Sequence, residues 1–345
     1  MLKKFISGLL SGLIIMLLLL GGSWLALNWY ANQPVLTTIK QDFIIEEGDS
    51  LTAISQNLAS QGIIEYPKVF SILGRLLDLS GSLHVGDYLI TPKTSVRELL
   101  DMFSQGKVRY YDVTLVEALR FSDILKELNQ HPKLTEPLTQ YDAKQLFKAL
   151  GIKGSPEGLF YPDTYFFQSG ASVKSILIRA HERLEKVLKE EWVARDMGLP
   201  YKTPYQALIM ASVIEKETGA AFERPDIAGV FVRRLRLGMR LQSDPTVIYG
   251  MGNSYHGKLT RRILRTKTPY NTYVIKGLPP TPIATVGREA IHAALHPAAG
   301  KALYFVAKGD GTHYFSESLE EHNRAVRKYQ ITDRRSDYRS TIEKN

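Results

Sequence analysis

The chain has 345 residues, of which 44% are hydrophobic and 23% are charged. This composition excludes a wholly disordered protein, and the length suits one large domain or two smaller ones. The absence of cysteine excludes disulfides, thiol catalysis and cysteine-ligated zinc, and the formal net charge of +9 points to an anionic partner such as a membrane surface, nucleic acid or an acidic polymer.

The first apolar segment indicates a membrane anchor. Residues 5–27 carry no charged side chain, and a helix of that length crosses a hydrocarbon core of about 30 Å. A cleaved signal peptide usually has a shorter apolar core, of about 7–15 residues, and no convincing cleavage site follows this one. We therefore predict a transmembrane helix over 5–27, a cytoplasmic N-terminus over 1–4 and a linker over 28–41. A long signal peptide is the alternative.

Two strands and two helices are predicted within residues 42–108. An alternating apolar segment reaches a turn at Gly48, and apolar residues from Leu51 to Leu58 then recur at helical spacing. A second segment, 84–92, repeats the order of glycine, aspartate and strand. This strand–helix–helix–strand unit resembles a LysM domain, a small module that binds the GlcNAc-containing glycans of cell walls. The resemblance implies glycan contact, although folds of this type without sugar binding are the alternative.

The rest of the chain mixes helical and strand patterns, which predicts an α+β region over 109–330 with its core over 157–330. The polar tail, 331–345, is predicted to be disordered. Helices are expected over 122–130, 141–150 and 172–197, and a β-hairpin is expected around Asp310-Gly311.

The stretch TPYQALIMASVIEKETG predicts a buried helix. Thr203 can cap its start, Pro204 suits its first turn, and Gly219 lies just past its end. Its apolar residues cover the whole circumference, and a helix that is apolar all round is buried.

Two glutamates close this helix, and they face nearly opposite ways. Glu215 and Glu217 lie about 200° apart on the helical wheel. Apolar surroundings and the negative end of the helix dipole both raise the pKa of a carboxyl group, which is what a proton donor near neutral pH needs. The alternative is a pair of ordinary glutamates at a helix end, with Lys216 and Arg224 as ionic partners.

Two later stretches combine polar side chains, aromatic rings and rigid proline and glycine turns, as a carbohydrate cleft requires. They are RLRLGMRLQSDPTVIYGMG and TPYNTYVIKGLPPTPIATVG. Together with the E-K-E helix they closely resemble the endolytic murein transglycosylases, the YceG-like family. S-[IV]-[IV]-E-K-E, LQSDPTVIYG, YNTY and GLPP occur in the family's order and spacing, and the resemblance runs from about residue 40 to residue 330.

The resemblance implies a lyase that cleaves the MurNAc-β-1,4-GlcNAc bond within nascent peptidoglycan strands, leaves 1,6-anhydroMurNAc ends and terminates strand elongation. The second glutamate of the motif, Glu217 here, is then the catalytic acid, and Glu215 is a supporting residue. The implied location is the cytoplasmic (inner) membrane, with the catalytic domain on the periplasmic or extracytoplasmic side and peptidoglycan synthases as neighbours. A non-catalytic wall-binding scaffold, or a hydrolase that leaves reducing ends, remains as the alternative.

The candidate substrate-binding residues are polar or aromatic: Glu215, Gln242, Asp244, Tyr270, Asn271 and Tyr273. Several have structural alternatives. Asp244 before Pro245 suits a helix N-cap, and the aromatic residues suit a β-rich core. The arginines between Arg233 and Arg240 suit either a solvated helix face or attraction to an anionic surface.

No cofactor and no metal are expected. His292 and His296 have the i, i+4 spacing of some zinc ligands, but no HExxH motif accompanies them and no third ligand is evident. No phosphate-cradling glycine loop or G-x-S-x-G elbow is present. Nucleic acid is not expected as a partner of a domain outside the cytoplasm.

Overall fold

The computed structural model describes residues 2–337 and residue 339. The chain divides into two compact units: one comprises the residues up to 111 together with 166–170, and the other comprises 112–165 together with the residues from 171 onward. Both helices and strands are present, as predicted for an α+β protein. Of the predicted tail, residue 338 and residues 340–345 lie outside the described residues.

The first helix, α1 (Leu2–Ala31), contains the apolar segment. Among the described residues it is the one helix long and apolar enough to cross a membrane, over Ile6–Ala31 with a mean hydropathy of 2.2. The same features suit a membrane anchor or a signal sequence. The helix continues past residue 27 because its last turn has packing partners: Tyr30 and Ala31 are buried in the core of the first unit.

The first unit contains a strand–helix–helix–strand arrangement. Its elements are β1 (Gln41–Ile45), α2 (Leu51–Ser60), α3 (Pro67–Leu76) and β2 (Gly86–Ile90). β1 and β2 pair antiparallel with Phe43 opposite Tyr88, and both side chains are fully buried. This order matches the predicted one, and the resemblance to a LysM domain stays a prediction.

A capped helix, α4 (Val96–Ser104), follows β2. Ser95 accepts a hydrogen bond from the Glu98 backbone N–H, and the Glu98 carboxylate accepts one from the Ser95 N–H. This capping box satisfies two backbone donors that a helix start otherwise leaves unpaired. Phe103 of α4 stacks on Phe43 at a ring separation of 5.7 Å, which joins the helix to the sheet.

Most helices follow residue 111. The elements in chain order are β3 (Tyr110–Thr114), α5 (Phe121–Gln130), α6 (Gln140–Ala149), β4 (Thr164–Gln168), α7 (Val173–Ala194), α8 (Pro204–Glu217), α9 (Arg224–Arg236), α10 (Asp244–Met251), α11 (Arg261–Leu264), α12 (Arg288–Leu295), β5 (Tyr304–Ala307), β6 (His313–Ser316) and α13 (Leu319–Val326). β3 pairs with β4 and β5 pairs with β6, so the predicted hairpin at Asp310-Gly311 is present. A π-helical segment, Arg327–Thr332, follows α13.

The helix α8 is the centre of the second unit, and α7, α9, α10 and α12 pack around it. Thr203 caps it by accepting a hydrogen bond from the Gln206 N–H, as predicted. Its residues from Ala207 to Glu215 are all buried. Thr218 has an extended backbone, so the helix ends at Glu217. A buried helix thus delivers its two carboxylates to its own C-terminal end.

Candidate active site

Glu217 has one carboxylate oxygen that lacks both solvent and a partner. The residue as a whole is half-buried, but its Oε1 atom is inaccessible and has no hydrogen-bond partner among the described residues. An ionised carboxylate without a compensating bond is costly to bury. The neutral carboxylic acid is therefore the favoured form at this position.

Burial raises the pKa of Glu217 from 4.5 to about 7. This value already includes the nearby Ser243 hydroxyl and the Arg234 guanidinium, which lower the pKa, and the charge of Asp244, which raises it. Ser243 Oγ is itself buried without a hydrogen-bond partner in the described chain. A carboxyl group with a pKa near 7 can release and recover a proton at neutral pH.

Arg234 of α9 is a buried cation beside this carboxyl group. Its Nη1 donates to the Leu241 carbonyl at 2.8 Å and to Gln242 Oε1 at 3.2 Å, and its Nε donates to the Leu303 carbonyl at 2.6 Å. The guanidinium also lies over the Tyr304 ring, 5.0 Å from the centroid. Arg234 therefore does not lie on a solvated helix face.

A polar loop holds the residues that face Glu217. Gln242 has a left-handed backbone with φ of 56°, and its N–H donates to the Thr272 carbonyl at 3.2 Å. The Ser243 N–H donates to Thr272 Oγ1 at 3.0 Å, and the hydroxyls of Thr246 and Thr272 are 2.8 Å apart. These bonds fix the 242–246 segment against the loop that contains Asn271.

Asp244 is the second carboxylate of the site. It is the first residue of α10, and the N-cap is Ser243, whose backbone is extended. The N-cap role considered for Asp244 therefore belongs to the preceding residue. The exposed Asp244 accepts a hydrogen bond from the Tyr273 hydroxyl at 2.7 Å. Burial raises the pKa of Tyr273, and the charge of Asp244 and this hydrogen bond raise it too.

Asn271 and Tyr270 hold the same loop from within. Asn271 is fully buried, its Nδ2 donates to the carbonyls of Leu264 and Thr266, and its Oδ1 accepts from the Tyr273 N–H. The hydroxyl of Tyr270 lies 2.9 Å from Thr281 Oγ1. The structure therefore gives Asn271 a loop-supporting arrangement, whereas the ring of Tyr270 is only half-buried.

Glu215 has a different environment from Glu217. Its Oε1 accepts from Arg224 Nη2 at 3.0 Å and its Oε2 accepts from the Gly287 N–H at 3.2 Å. Burial raises the pKa of Glu215, and the Arg224 charge acts against that rise. In the E-K-E motif, Glu215 is therefore ion-paired and Glu217 is not.

The structure brings together four of the predicted residues and two that were not predicted. Glu217, Gln242, Asp244 and Tyr273 converge, and Ser243 and Arg234 join them. Ser243 lies inside the LQSDPTVIYG stretch, between two predicted residues, so its position in the sequence could have identified it as a site residue. Nothing in the pattern of the basic stretch distinguishes Arg234 from its neighbours.

A possible metal-ligand set lies elsewhere in the second unit. Ligand atoms of Glu191, His292 and His296 all lie within 4.8 Å of one another. The sequence alone did not reveal a third ligand for the two histidines. Glu191 is about 100 residues away along the chain, and ligand motifs are recognised only over short spacings.

Comparison with known proteins gives consistent matches. The profile of the YceG-like family matches residues 43–328. The endolytic murein transglycosylase of Bacillus subtilis (strain 168) is 29% identical over 303 residues, covering 83% of each chain. The endolytic murein transglycosylase of Streptococcus pneumoniae serotype 2 (strain D39) is 24% identical over 324 residues, covering 82% of this chain and 57% of that protein.

A solved structure agrees with these matches. The crystal structure of a putative yceG-like protein from Listeria monocytogenes superposes with a TM-score of 0.55 at 29% identity, over 84% of this chain and 99% of that one. The family profile spans most of the chain, from the first strand of the first unit to the end of the last α-helix. The resemblance carried by the E-K-E, LQSDPTVIYG, YNTY and GLPP motifs is therefore confirmed, and the chain belongs to the YceG-like family.

Proposed function

We propose that this protein is an endolytic murein transglycosylase, a lyase that cleaves the MurNAc-β-1,4-GlcNAc bond within nascent peptidoglycan strands. The observation that carries the proposal is the carboxyl group of Glu217, which has a buried, unpaired oxygen and a pKa of about 7. The names of the Bacillus and Streptococcus relatives support the same activity.

In the first step, the protonated Glu217 donates its proton to the glycosidic oxygen. The bond between that oxygen and C1 of MurNAc breaks, GlcNAc leaves with a free 4-hydroxyl, and an oxocarbenium-like centre develops at C1. Asp244 assists by keeping Glu217 protonated, since its negative charge opposes ionisation of a neighbouring carboxyl.

In the second step, the Glu217 carboxylate takes the proton from the C6 hydroxyl of the same MurNAc. The freed oxygen bonds to C1 and closes a 1,6-anhydro ring, so no water is consumed and Glu217 returns to its acid form. A hydrolytic glycosidase instead needs a second carboxylate to activate water or to form a covalent intermediate. Here Asp244 is engaged by the Tyr273 hydroxyl.

The remaining candidates divide by their contacts. Gln242, Asp244, Tyr270 and Tyr273 have polar or aromatic surface left for a sugar, because none of them is fully buried. We assign them to substrate binding. Asn271 and Glu215 use their polar atoms inside the protein, so we assign them to holding the loop and the helix end in place.

We assign α1 to an uncleaved anchor in the cytoplasmic membrane. Lys3 and Lys4 precede the apolar segment and favour a cytoplasmic N-terminus by the positive-inside rule. The catalytic unit then lies on the extracytoplasmic side, where nascent glycan strands and their synthases are found. The strand–helix–helix–strand arrangement of the first unit is a LysM-like candidate for glycan contact.

Product analysis tests the activity. The detergent-solubilised full chain is incubated with purified sacculi, and the released muropeptides are analysed by mass spectrometry. We expect 1,6-anhydroMurNAc ends. Reducing ends, which carry one additional water, would identify a hydrolase, and the absence of new ends would identify a binding scaffold.

The initial rate should fall with increasing pH through an apparent pKa of about 7. The first step needs the protonated form of Glu217, which is lost above its raised pKa. The measurement is the rate of anhydro-muropeptide release between pH 5 and pH 9, with the fold checked by circular dichroism at each pH. A rate that rises through pH 7 would contradict the acid role.

The substitution Asp244→Asn should move this falling limb to lower pH. Removing the negative charge of Asp244 removes one influence that raises the pKa of Glu217. Tyr273→Phe is the matched control, because it removes the hydrogen bond to Asp244 while the carboxylate stays. The pH–rate profiles of the two variants are compared. An unmoved limb in Asp244→Asn would show that its charge does not reach Glu217.

A further inference from the structure

The ends of α7 and α12 bring together three side chains that can bind a metal. Glu191 lies in the last turn of α7, His292 lies on α12, and His296 directly follows α12. The two imidazole rings are 4.3 Å apart with 30° between their planes. We propose that Glu191, His292 and His296 form a zinc-binding site that links α7 to α12, which is separate from the Glu217 site and does not depend on the proposed function.

The first step of the argument is the free nitrogen of His296. Its Nδ1 lies 2.9 Å from Asp196 Oδ1, and because a carboxylate can only accept, Nδ1 carries the hydrogen. In the neutral ring, Nε2 then has a free lone pair. That Nε2 is buried and has no hydrogen-bond partner among the described residues. An unsatisfied buried acceptor is costly, and a bound cation would remove the cost.

The second step is the spacing of the other two ligands. His292 Nδ1 lies 2.9 Å from Glu191 Oε2. Two ligands on one tetrahedral zinc, with bonds of about 2.0–2.1 Å, are separated by roughly 3.3 Å. The pair therefore needs only a small movement to bind one ion, which would take the place of the hydrogen between them.

The third step is the second layer of contacts. Metal-bound histidines usually donate their other ring N–H to a carboxylate, as His296 does to Asp196, and metal-bound carboxylates are usually hydrogen-bonded in turn. Arg288 Nη1 donates to Glu191 Oε1 at 2.8 Å, which leaves Oε2 for the ion. Arg288 also pairs with Glu190. These contacts fix two of the three ligands before an ion arrives.

The fourth step is the choice of metal. Two imidazoles and one carboxylate suit zinc better than magnesium or calcium, which prefer oxygen ligands alone. The carboxylates of Glu191 and Asp196 contact the two histidines and would offset part of the charge of a divalent cation. The side chain of His292 is 58% exposed, which gives the ion a path and leaves water as a fourth ligand.

The consequence would be a cross-link between α7 and α12. Both helices pack on α8, whose C-terminal end carries Glu215 and Glu217. A zinc ion would therefore stabilise the packing around the catalytic helix without taking part in the chemistry.

The test uses the full chain in detergent, purified without a histidine tag and stripped of metal with a chelator. Zn²⁺ is titrated by calorimetry, bound metal is counted after gel filtration, and Co²⁺ is used as a probe whose absorption reports tetrahedral coordination. We expect one equivalent of Zn²⁺, a tetrahedral Co²⁺ spectrum, and a rise in Tm on adding Zn²⁺.

Variants separate this site from adventitious surface binding. Glu191→Gln and His296→Gln should each weaken Zn²⁺ binding by at least about tenfold and abolish the Zn²⁺-dependent rise in Tm. His256→Ala, which removes an exposed histidine outside the site, should leave the Zn²⁺ affinity and the Zn²⁺-dependent rise in Tm unchanged. The proposal is overturned if the wild-type chain binds no Zn²⁺, or if Glu191→Gln and His296→Gln bind it as wild type does. A Tm measured without metal shows whether each variant is folded.

Discussion

The substitution Glu217→Gln is expected to lower the rate of anhydro-muropeptide release by at least about 10³-fold. Glutamine has nearly the same shape but can neither donate the proton to the glycosidic oxygen nor accept one from the C6 hydroxyl. General acid–base catalysis contributes about 10²–10⁴-fold, and here one group supplies both transfers. The measurement is the initial rate on sacculi, with mass-spectrometric identification of the product ends.

The same variant should be more stable than wild type at pH 8. The folded-state pKa of Glu217 is raised from 4.5 to about 7, so its contribution to stability is fully present below about pH 4.5 and is lost as the pH rises through 7. Glutamine stays neutral and avoids this loss. A shift of this size, reduced for the partial exposure of the residue, corresponds to roughly 2 kcal/mol.

Urea unfolding at pH 8 and at pH 4.5 provides the control. The gain should be present at pH 8 and nearly absent at pH 4.5. A variant that is inactive and more stable at pH 8 shows that activity was lost through chemistry rather than through unfolding. A variant that retains a tenth or more of the wild-type rate would remove Glu217 from the catalytic role.

Features determined by neighbouring residues could be predicted from the sequence. The cap of α8 at Thr203 and the hairpin at Asp310-Gly311 both depend on contacts over a few positions, and each is present in the structure. The buried character of α8 followed from its apolar circumference, because an apolar surface on every side leaves no face for water.

Features that depend on distant residues could not be predicted in the same way. Arg234 lies in an arginine-rich stretch that suits a solvated face, yet it is 7% exposed because carbonyls at 241 and 303 accept its hydrogen bonds. Tyr273 reaches Asp244 only because the two loops meet. Glu191 reaches His292 across about 100 residues. Such pairings are set by tertiary packing, which periodicity and spacing do not report.

The extent of α1 shows the same limitation at an element boundary. Hydrophobicity predicts where the apolar segment ends, at residue 27, but the helix continues to Ala31. Tyr30 donates a hydrogen bond to the Tyr66 carbonyl and packs in the first unit, so contacts within that unit extend the helix through its last turn.

The substitution Arg224→Met is expected to destabilise the protein by about 3–5 kcal/mol. The side chain of Arg224 is 4% exposed and that of its partner Glu215 is 2% exposed, with 3.0 Å between Arg224 Nη2 and Glu215 Oε1. Removing one member of a buried pair leaves the other as an uncompensated charge, which costs far more than the pair contributes. Methionine fills much of the same volume, so the loss of stability measures mainly the cost of the unpaired Glu215 charge.

Two further variants test this prediction: one is a control at an exposed pair, and the other removes both members of the buried pair. Glu289→Gln breaks another Arg224 pair, but the Glu289 side chain is 69% exposed, so the expected cost is at most about 1 kcal/mol. The double variant Arg224→Met with Glu215→Gln should recover part of the loss, because no buried charge is left unpaired. The measurement is urea unfolding at pH 7. If Arg224→Met costs no more than Glu289→Gln, the buried pair does not hold the end of α8 in place.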